Sequence, residues 1–129
     1  MPDAARSPYQ YAIVRVVPSL ERGERINVGI VLLCRPRRYL GAWVELDAVR
    51  LRSFAPELDL DAVQPHLEAI ERVARGDPAG GPIARLGLGE RFHWLVSPAS
   101  TIIQVSAVHT GLCLVPAAEL DHLVGRLVK

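Results

Sequence analysis

The chain has few of the residues from which disulfide and metal sites are built. It contains two cysteines, Cys34 and Cys113, which lie far apart in the sequence and form no C-x-x-C pair. Disulfide frameworks and zinc sites need several cysteines or histidines at short, regular spacing. The four histidines show no such spacing. We therefore expect no metal site, no disulfide framework and no cofactor.

Long apolar runs and a concentrated net charge are also missing. No segment approaches the roughly 18 consecutive apolar residues that span a bilayer. The N-terminal segment MPDAARSPYQY has no apolar signal stretch. The formal net charge is +1, which gives no overall field that favours a membrane or nucleic acid as partner. These absences predict a cytoplasmic protein with reduced thiols.

What the chain does have is enough apolar residues for one packed core. Half of its 129 residues are hydrophobic, and a chain of this length can bury roughly two-thirds of its unfolded surface. We predict a flexible N-terminal lead over residues 1–9, followed by a single domain over residues 10–129.

The apolar pattern changes period along the chain, from two to about 3.6 residues. The order of elements βββ-ααα-β-α predicts an α+β fold, with a four-stranded, mainly antiparallel sheet and helices packed on one face. The predicted strands are about Gln10–Val17, Ile26–Arg35, Tyr39–Leu46 and Thr101–Val108. The predicted helices are a short turn near Asp47–Phe54, Pro65–Arg75, Glu90–Val96, and a closing helix from about Pro116.

Strand alternation predicts which side chains share a face. The even positions of the strands are apolar and are expected beneath the helices, because a slip of one residue would invert every side chain. The odd positions form a candidate binding surface, since Trp, Tyr and Arg are typical of binding hot spots. With Glu24 at the hairpin loop, this surface comprises Tyr11, Arg15, Asn27, Gly29, Trp43, Glu45, Gln104 and Ser106.

Two further expectations concern this odd face. Gly29, inside a strand, marks a place where another backbone or a ligand approaches closely. Arg15 and Glu45 can form an ion pair if the strand order brings them together. The structural alternative is that the face is simply the wetter side of a two-layer sandwich.

Catalytic motifs are absent from the chain. There is no G-x-S-x-G elbow and no phosphate-binding loop, and Gly87-Leu88-Gly89 lacks the third glycine of a dinucleotide fingerprint. Glu24 and Asn27 near Arg15 can orient a polar ligand or activate water, or can simply bond the turn. We assign no catalytic residue.

Arg35, Arg37 and Arg38 cluster at a turn beside Tyr39. Such a group can contact phosphates, but three arginines around a proline are more typical of a solvated turn. Nucleic acid is therefore not favoured as a partner.

The hairpin also carries a family resemblance, through Tyr11, Arg15, Pro18 and the segment ERINVGIVL with Glu24, Asn27 and Gly29. It continues more weakly through Trp94-Leu95, Ser97-Pro98, Ile102-Ile103-Gln104 and the C-terminal helix. On these residues the chain resembles a bacterial family, the domain of unknown function family 3037. No activity is established for that family, and its genes often lie beside genes for kinases that resemble the HipA toxin. The resemblance implies a partner or accessory role.

Three functional hypotheses follow. The first is a non-catalytic interaction module that holds another protein, with a kinase-like protein as one candidate. The second is a small enzyme or ligand-binding domain for a polar or phosphorylated metabolite, with Glu24 as base and Arg15 as electrostatic clamp. It requires Arg15, Glu24 and Asn27 to converge in a cleft. The third is that the odd face closes a homodimer.

Overall fold

The computed structural model describes residues 5–19, 22, 24–97 and 102–129. The α+β class is confirmed, with an antiparallel sheet and helices in the order expected. The strands are β1 Ser7–Ser19, β2 Glu24–Cys34, β3 Tyr39–Val44, β4 Ile103–Val105 and β5 His109–Cys113. The helices are α1 Ala48–Phe54, α2 Leu60–Arg75, α3 Leu88–Val96 and α4 Pro116–Leu127, with short 3-10 segments at Arg35–Arg37, Pro78–Gly80 and Pro82–Arg85.

The sheet is built around the long strand β1. Its strand order is β3-β2-β1-β4, and β5 also pairs with β1. β4 lies beside the C-terminal half of β1, with Val105 opposite Val14. β5 lies beside the N-terminal half, with Cys113 opposite Ser7. β1 therefore begins at Ser7 rather than at Gln10, and it brings Tyr9 into the sheet.

The single strand predicted over Thr101–Val108 is wrong in extent, and a fifth strand follows it. Ser106 lies after β4, where its hydroxyl accepts a hydrogen bond from the Ile13 amide at 2.8 Å. This side-chain bond takes the place of a backbone ladder bond, and pairing resumes only in β5. Thr101 lies outside the described residues.

The helices cover both faces of the sheet, so the prediction that they pack on one face is wrong. The first face carries α1, α2 and α3, and the second carries α4. The core of the first face includes Val14, Val16, Val28, Val31, Leu33, Leu51, Leu67, Ile70, Phe92 and Leu95. The core of the second face includes Tyr9, Ile13, Ile30, Leu32, Cys34, Cys113, Leu120, Leu123, Val124 and Val128.

A β-bulge in β2 explains why the parity argument fails there. Gly29 pairs with Val14 and Asn27 pairs with Arg15, so Val28 is an extra residue in β2. A bulge changes which alternate side chains face each way. The even positions before it face α1 to α3, whereas Ile30 and the even positions after it face α4.

Local capping sets the helix starts. α2 begins at Leu60 rather than at Pro65, because the Asp59 carboxylate accepts a hydrogen bond from the Asp61 amide at 3.0 Å. Pro65 therefore lies inside the helix. α4 begins at Pro116, as predicted. Among the described residues, no helix combines the length and the apolar character needed to cross a bilayer.

Candidate functional site

Arg15 and Asn27 join the sheet to the C-terminal end of α4. The Arg15 Nε donates to Asn27 Oδ1 at 3.2 Å, and Asn27 Nδ2 donates to the Leu127 carbonyl oxygen at 2.9 Å. The last carbonyl groups of a helix lack partners within the helix. Asn27 therefore satisfies one end of α4, and Arg15 orients the Asn27 amide.

The same helix end has two further contacts. Arg50 Nη1 donates to the Val128 carbonyl oxygen at 2.9 Å. The Lys129 ammonium group lies 5.2 Å from the centroid of the Trp43 ring, within the range of a cation–π contact. Trp43 itself packs against the core of the second face. The C-terminal end of α4 is thus held by side chains from α1, β2 and β3.

Burial affects the pKa of Arg15 in this arrangement. Desolvation, and secondarily the positive charge of Arg25, lowers the pKa of Arg15 from its ordinary value. No ion pair between Arg15 and Glu45 is present in the described part of the chain. β2 separates the strands that carry them. Glu45 is instead exposed, and its amide donates to the Val28 carbonyl oxygen at 2.9 Å.

The other residues of the predicted surface lie at different places. Gln104 is opposite Arg15 in the β1–β4 pair. Tyr11 stacks on His109, with ring centroids 5.2 Å apart. Gly29 is buried, because a Cβ there would lie 2.5 Å from the Trp43 carbonyl oxygen and 3.1 Å from Val44 Cα. The close approach expected at Gly29 is therefore that of the neighbouring strand β3.

Glu24 does not join Arg15 and Asn27. Its carboxylate pairs with Arg22 at 2.8 Å, at the hairpin end of the sheet. The cavity of about 510 Å³ that Glu24 lines contains neither Arg15 nor Asn27. The convergence required by the enzymatic hypothesis is absent from the described residues. Participation of the predicted residues in binding stays a prediction.

Asn27 gives a direct test of the contact with α4. Asn27→Ala should lower the free energy of unfolding by about 1 to 3 kcal/mol, because it leaves the Leu127 carbonyl and Arg15 without this partner. Asn27→Asp can still accept from Arg15 but cannot donate to Leu127. Chemical denaturation should therefore give Asn27→Asp a free energy of unfolding well below that of the wild type. Gln64→Ala, on the exposed surface of α2, should change stability by less than about 0.5 kcal/mol.

Two groups in the core of the second face were not anticipated from the sequence. The Tyr9 hydroxyl donates to Glu119 Oε2 at 2.8 Å, and burial together with this carboxylate raises the pKa of Tyr9. Cys34 and Cys113 are free, buried thiols of the same core. Burial, and then the proximity of Cys34, raises the pKa of Cys113. Thiols with raised pKa values are poor nucleophiles.

The sheet is uncovered at one end of its first face. Cys113 belongs to the core of the second face. Because side chains alternate along a strand, Leu112 and Thr110 project from the first face, beside Pro8 and Gln10 of β1. Leu112 is 61% exposed. We call Pro8, Gln10, Thr110 and Leu112 the uncovered sheet surface. Sequence reasoning missed this surface because it did not predict β5.

Apolar exposure continues along the chain beyond β5. Leu114 is 45% and Val115 57% exposed, next to the 61% of Leu112. Adjoining exposed apolar side chains are typical of interaction surfaces, whereas single ones are ordinary.

No group of three or more metal-binding side chains occurs among residues 5–19, 22, 24–97 and 102–129.

The fold and these surfaces define an α+β domain whose antiparallel sheet is covered on both faces but left open at one end. Residues 11–128 match the model of the family described as Protein of unknown function (DUF3037). The match covers nearly the whole chain, so the chain belongs to this family, as the hairpin residues indicate. Comparison with curated proteins and with solved structures finds no significant match.

Proposed function

We propose that the chain is a non-catalytic protein-interaction module that uses the uncovered sheet surface and the adjoining edge of β5. The observation that carries this proposal is the exposure of Leu112, at 61%, beside Leu114 and Val115. Apolar groups in water favour burial by about 25 cal/mol for each Å² removed from solvent. A partner that covers these side chains gains this contribution.

The outer edge of β5 supports the same proposal. β5 pairs with β1, and no backbone hydrogen bond links its described residues to an element on the other side. Natural edge strands are usually protected by lysine, proline or inward-facing charge. His109–Cys113 contains none of these residue types. An open edge with apolar neighbours suits the addition of a strand from another protein.

The opposite edge of the sheet is more protected. All residues of β3 are partly covered, and both α2 and α4 pack against this strand. The predicted surface on the second face is largely occupied by α4, although Glu24 and Glu45 remain accessible at its margins. We therefore place the main contact at β5 and keep the predicted residues as a second candidate surface.

A kinase-like protein is the partner we propose, and a second copy of this chain is the alternative. Co-purification with a HipA-like kinase tests the first, and light scattering of the isolated chain tests the second. Leu112→Ser should weaken whichever association is found by at least about tenfold, since it removes a central apolar contact. Val49→Ser is the matched control, because Val49 is 77% exposed on α1.

The outcomes are distinct. Loss of association in Leu112→Ser alone supports the contact at β5. Equal association of both variants with the wild type, or a chain that remains monomeric and retains no kinase-like partner, would count against the proposed module.

A further inference from the structure

Two cavities adjoin at the side chain of Arg35, which follows β2. One cavity, of about 660 Å³, lies against α3 and is lined in part by Trp94. The other, of about 320 Å³, lies over the uncovered end of the sheet and is lined in part by Pro8, Leu33 and Thr110. We call the two cavities together the Arg35 groove. The groove is continuous with the uncovered sheet surface through Pro8 and Thr110.

Positive charge is concentrated in the turn after β2, where Arg35 lines both cavities and Arg37 and Arg38 follow it in the chain. Arg35, Arg37 and Arg38 take part in none of the ion pairs found among the described residues. Arg37 is occupied by neutral acceptors, the Ser7 hydroxyl at 3.0 Å and the Ala5 carbonyl oxygen at 3.2 Å. A chain with a net charge of only +1 therefore presents a local cluster of three cations.

Two features fix the side chain of Arg35 and the turn that carries it. The Arg35 guanidinium group packs against Gly89 of α3. A Cβ added to Gly89 would lie only 3.2 Å from Arg35 Cζ. Arg38 has a φ of 51°, in the left-handed region. Glycine adopts that conformation at lower cost than arginine. The Arg38 amide donates to the Arg35 carbonyl oxygen at 3.0 Å, so this conformation closes the turn that carries the three arginines.

The walls of the groove are largely apolar. Trp94 is 40% exposed on α3, and Leu33, Pro8 and Pro36 line the sheet side. Tryptophan and arginine together are typical of binding hot spots. Glu90 lines the cavity against α3, whereas the residues that line the cavity over the sheet include no carboxylate. An anionic group is therefore best accommodated on the sheet side of Arg35.

We propose that the Arg35 groove binds an extended acidic segment of a partner protein, an inference that rests on the proposed interaction function. A carboxylate of the segment pairs with Arg35, and its apolar side chains contact Trp94 and the sheet residues. Charge complementarity selects an acidic segment, and the apolar walls select a peptide over a nucleic acid. Phosphate-dominated binding depends on a longer stripe of cations than three residues of one turn supply.

Fluorescence anisotropy tests this inference on the full chain. The probe is a short fluorescein-labelled peptide in which glutamate alternates with leucine, and the competitor is a single-stranded oligothymidine. Arg35→Glu should weaken peptide binding by at least about tenfold, because it reverses the central charge. Arg52→Glu, an exposed arginine of α1, should change binding by less than about twofold.

Gly89→Ala provides a second variant that leaves Arg35 in the chain. The new methyl group displaces the guanidinium group, while alanine favours the helix more than glycine does. We expect about threefold to tenfold weaker peptide binding with no loss of thermal stability, since the cation is no longer held in place.

Each outcome bears on the inference. Weakening in Arg35→Glu and Gly89→Ala but not in Arg52→Glu supports it. It is overturned if the peptide does not bind, if Arg35→Glu and Arg52→Glu weaken binding equally, or if the oligothymidine binds more tightly with the same dependence on Arg35. None of these results depends on Leu112→Ser or on the kinase-like protein, so failure of the groove and failure of the proposed function are separable.

Discussion

Replacing Leu123 by alanine is expected to lower the free energy of unfolding by about 2 to 5 kcal/mol. The side chain of Leu123, a residue of α4, is 2% exposed and packs on the second face of the sheet, in the same core as Ile30 and Leu32. The substitution removes buried methyl groups and leaves a cavity that the surrounding side chains fill only in part. Urea denaturation monitored by circular dichroism measures the change.

Two comparisons make the Leu123 result specific to the position of α4. His122→Ala, on the exposed side of the same helix, should change stability by less than about 0.5 kcal/mol. Leu67→Ala, in the core of the first face, should be as damaging as Leu123→Ala. If Leu123→Ala is as mild as His122→Ala, α4 does not cover the sheet, and the second face is open as the alternation first indicated.

Gly29→Ala is expected to lower the free energy of unfolding by about 3 kcal/mol, the upper end of the usual effect of overpacking. The added Cβ would lie 2.5 Å from the Trp43 carbonyl oxygen and 3.1 Å from Val44 Cα. Both atoms belong to the backbone of β3, which cannot move away as a flexible side chain can. Thermal or chemical denaturation measures the loss.

Gly125→Ala is the matched control for this prediction. Gly125 lies inside α4, and a Cβ there has no neighbouring atom within 4 Å. Alanine favours a helix interior over glycine, so this variant should gain about 0.5 to 1 kcal/mol. A Gly29→Ala variant as stable as the wild type would contradict the close approach of β3.

The sequence predicts the alternation of β3 and of β1 as far as Val16 correctly, because neither strand has an extra residue over those positions. Val14 and Val16 belong to the core of the first face, whereas Arg15 lies on the second face, as expected. The prediction fails in β2, where the extra residue Val28 inverts the later positions. The unbroken apolar run of residues 30–34 is the signal that was available, since such runs are typical of strands buried on both faces.

The position of α4 could not be predicted from its own pattern. An apolar stripe with Leu120, Leu123 and Val124 packs equally well on either face of a sheet. Polar residues such as Arg15 and Asn27, set among apolar strand residues, require partners, and the partner of Asn27 is the Leu127 carbonyl at the end of α4. That contact joins residues 100 positions apart, a separation that no local pattern reports.

The candidate interaction surface was only partly predictable for a similar reason. Three arginines around Pro36 are visible in the sequence. The proximity of Arg35 to Trp94 and to Thr110 depends on how α3 and β5 pack around β1 and β2. The strand β5 also gave a weak signal, because HTGLC is short and contains glycine in its centre.

The two tryptophans of the chain allow the most direct test of where a partner binds, because Trp94 lines the Arg35 groove and Trp43 lies beside α4 on the second face. In Trp43→Phe the emission reports Trp94, and in Trp94→Phe it reports Trp43. Titration of both variants with the acidic peptide should shift the emission of Trp94 and leave that of Trp43 unchanged. A shift of Trp43 with a silent Trp94 would contradict the account and return the binding surface to the second face.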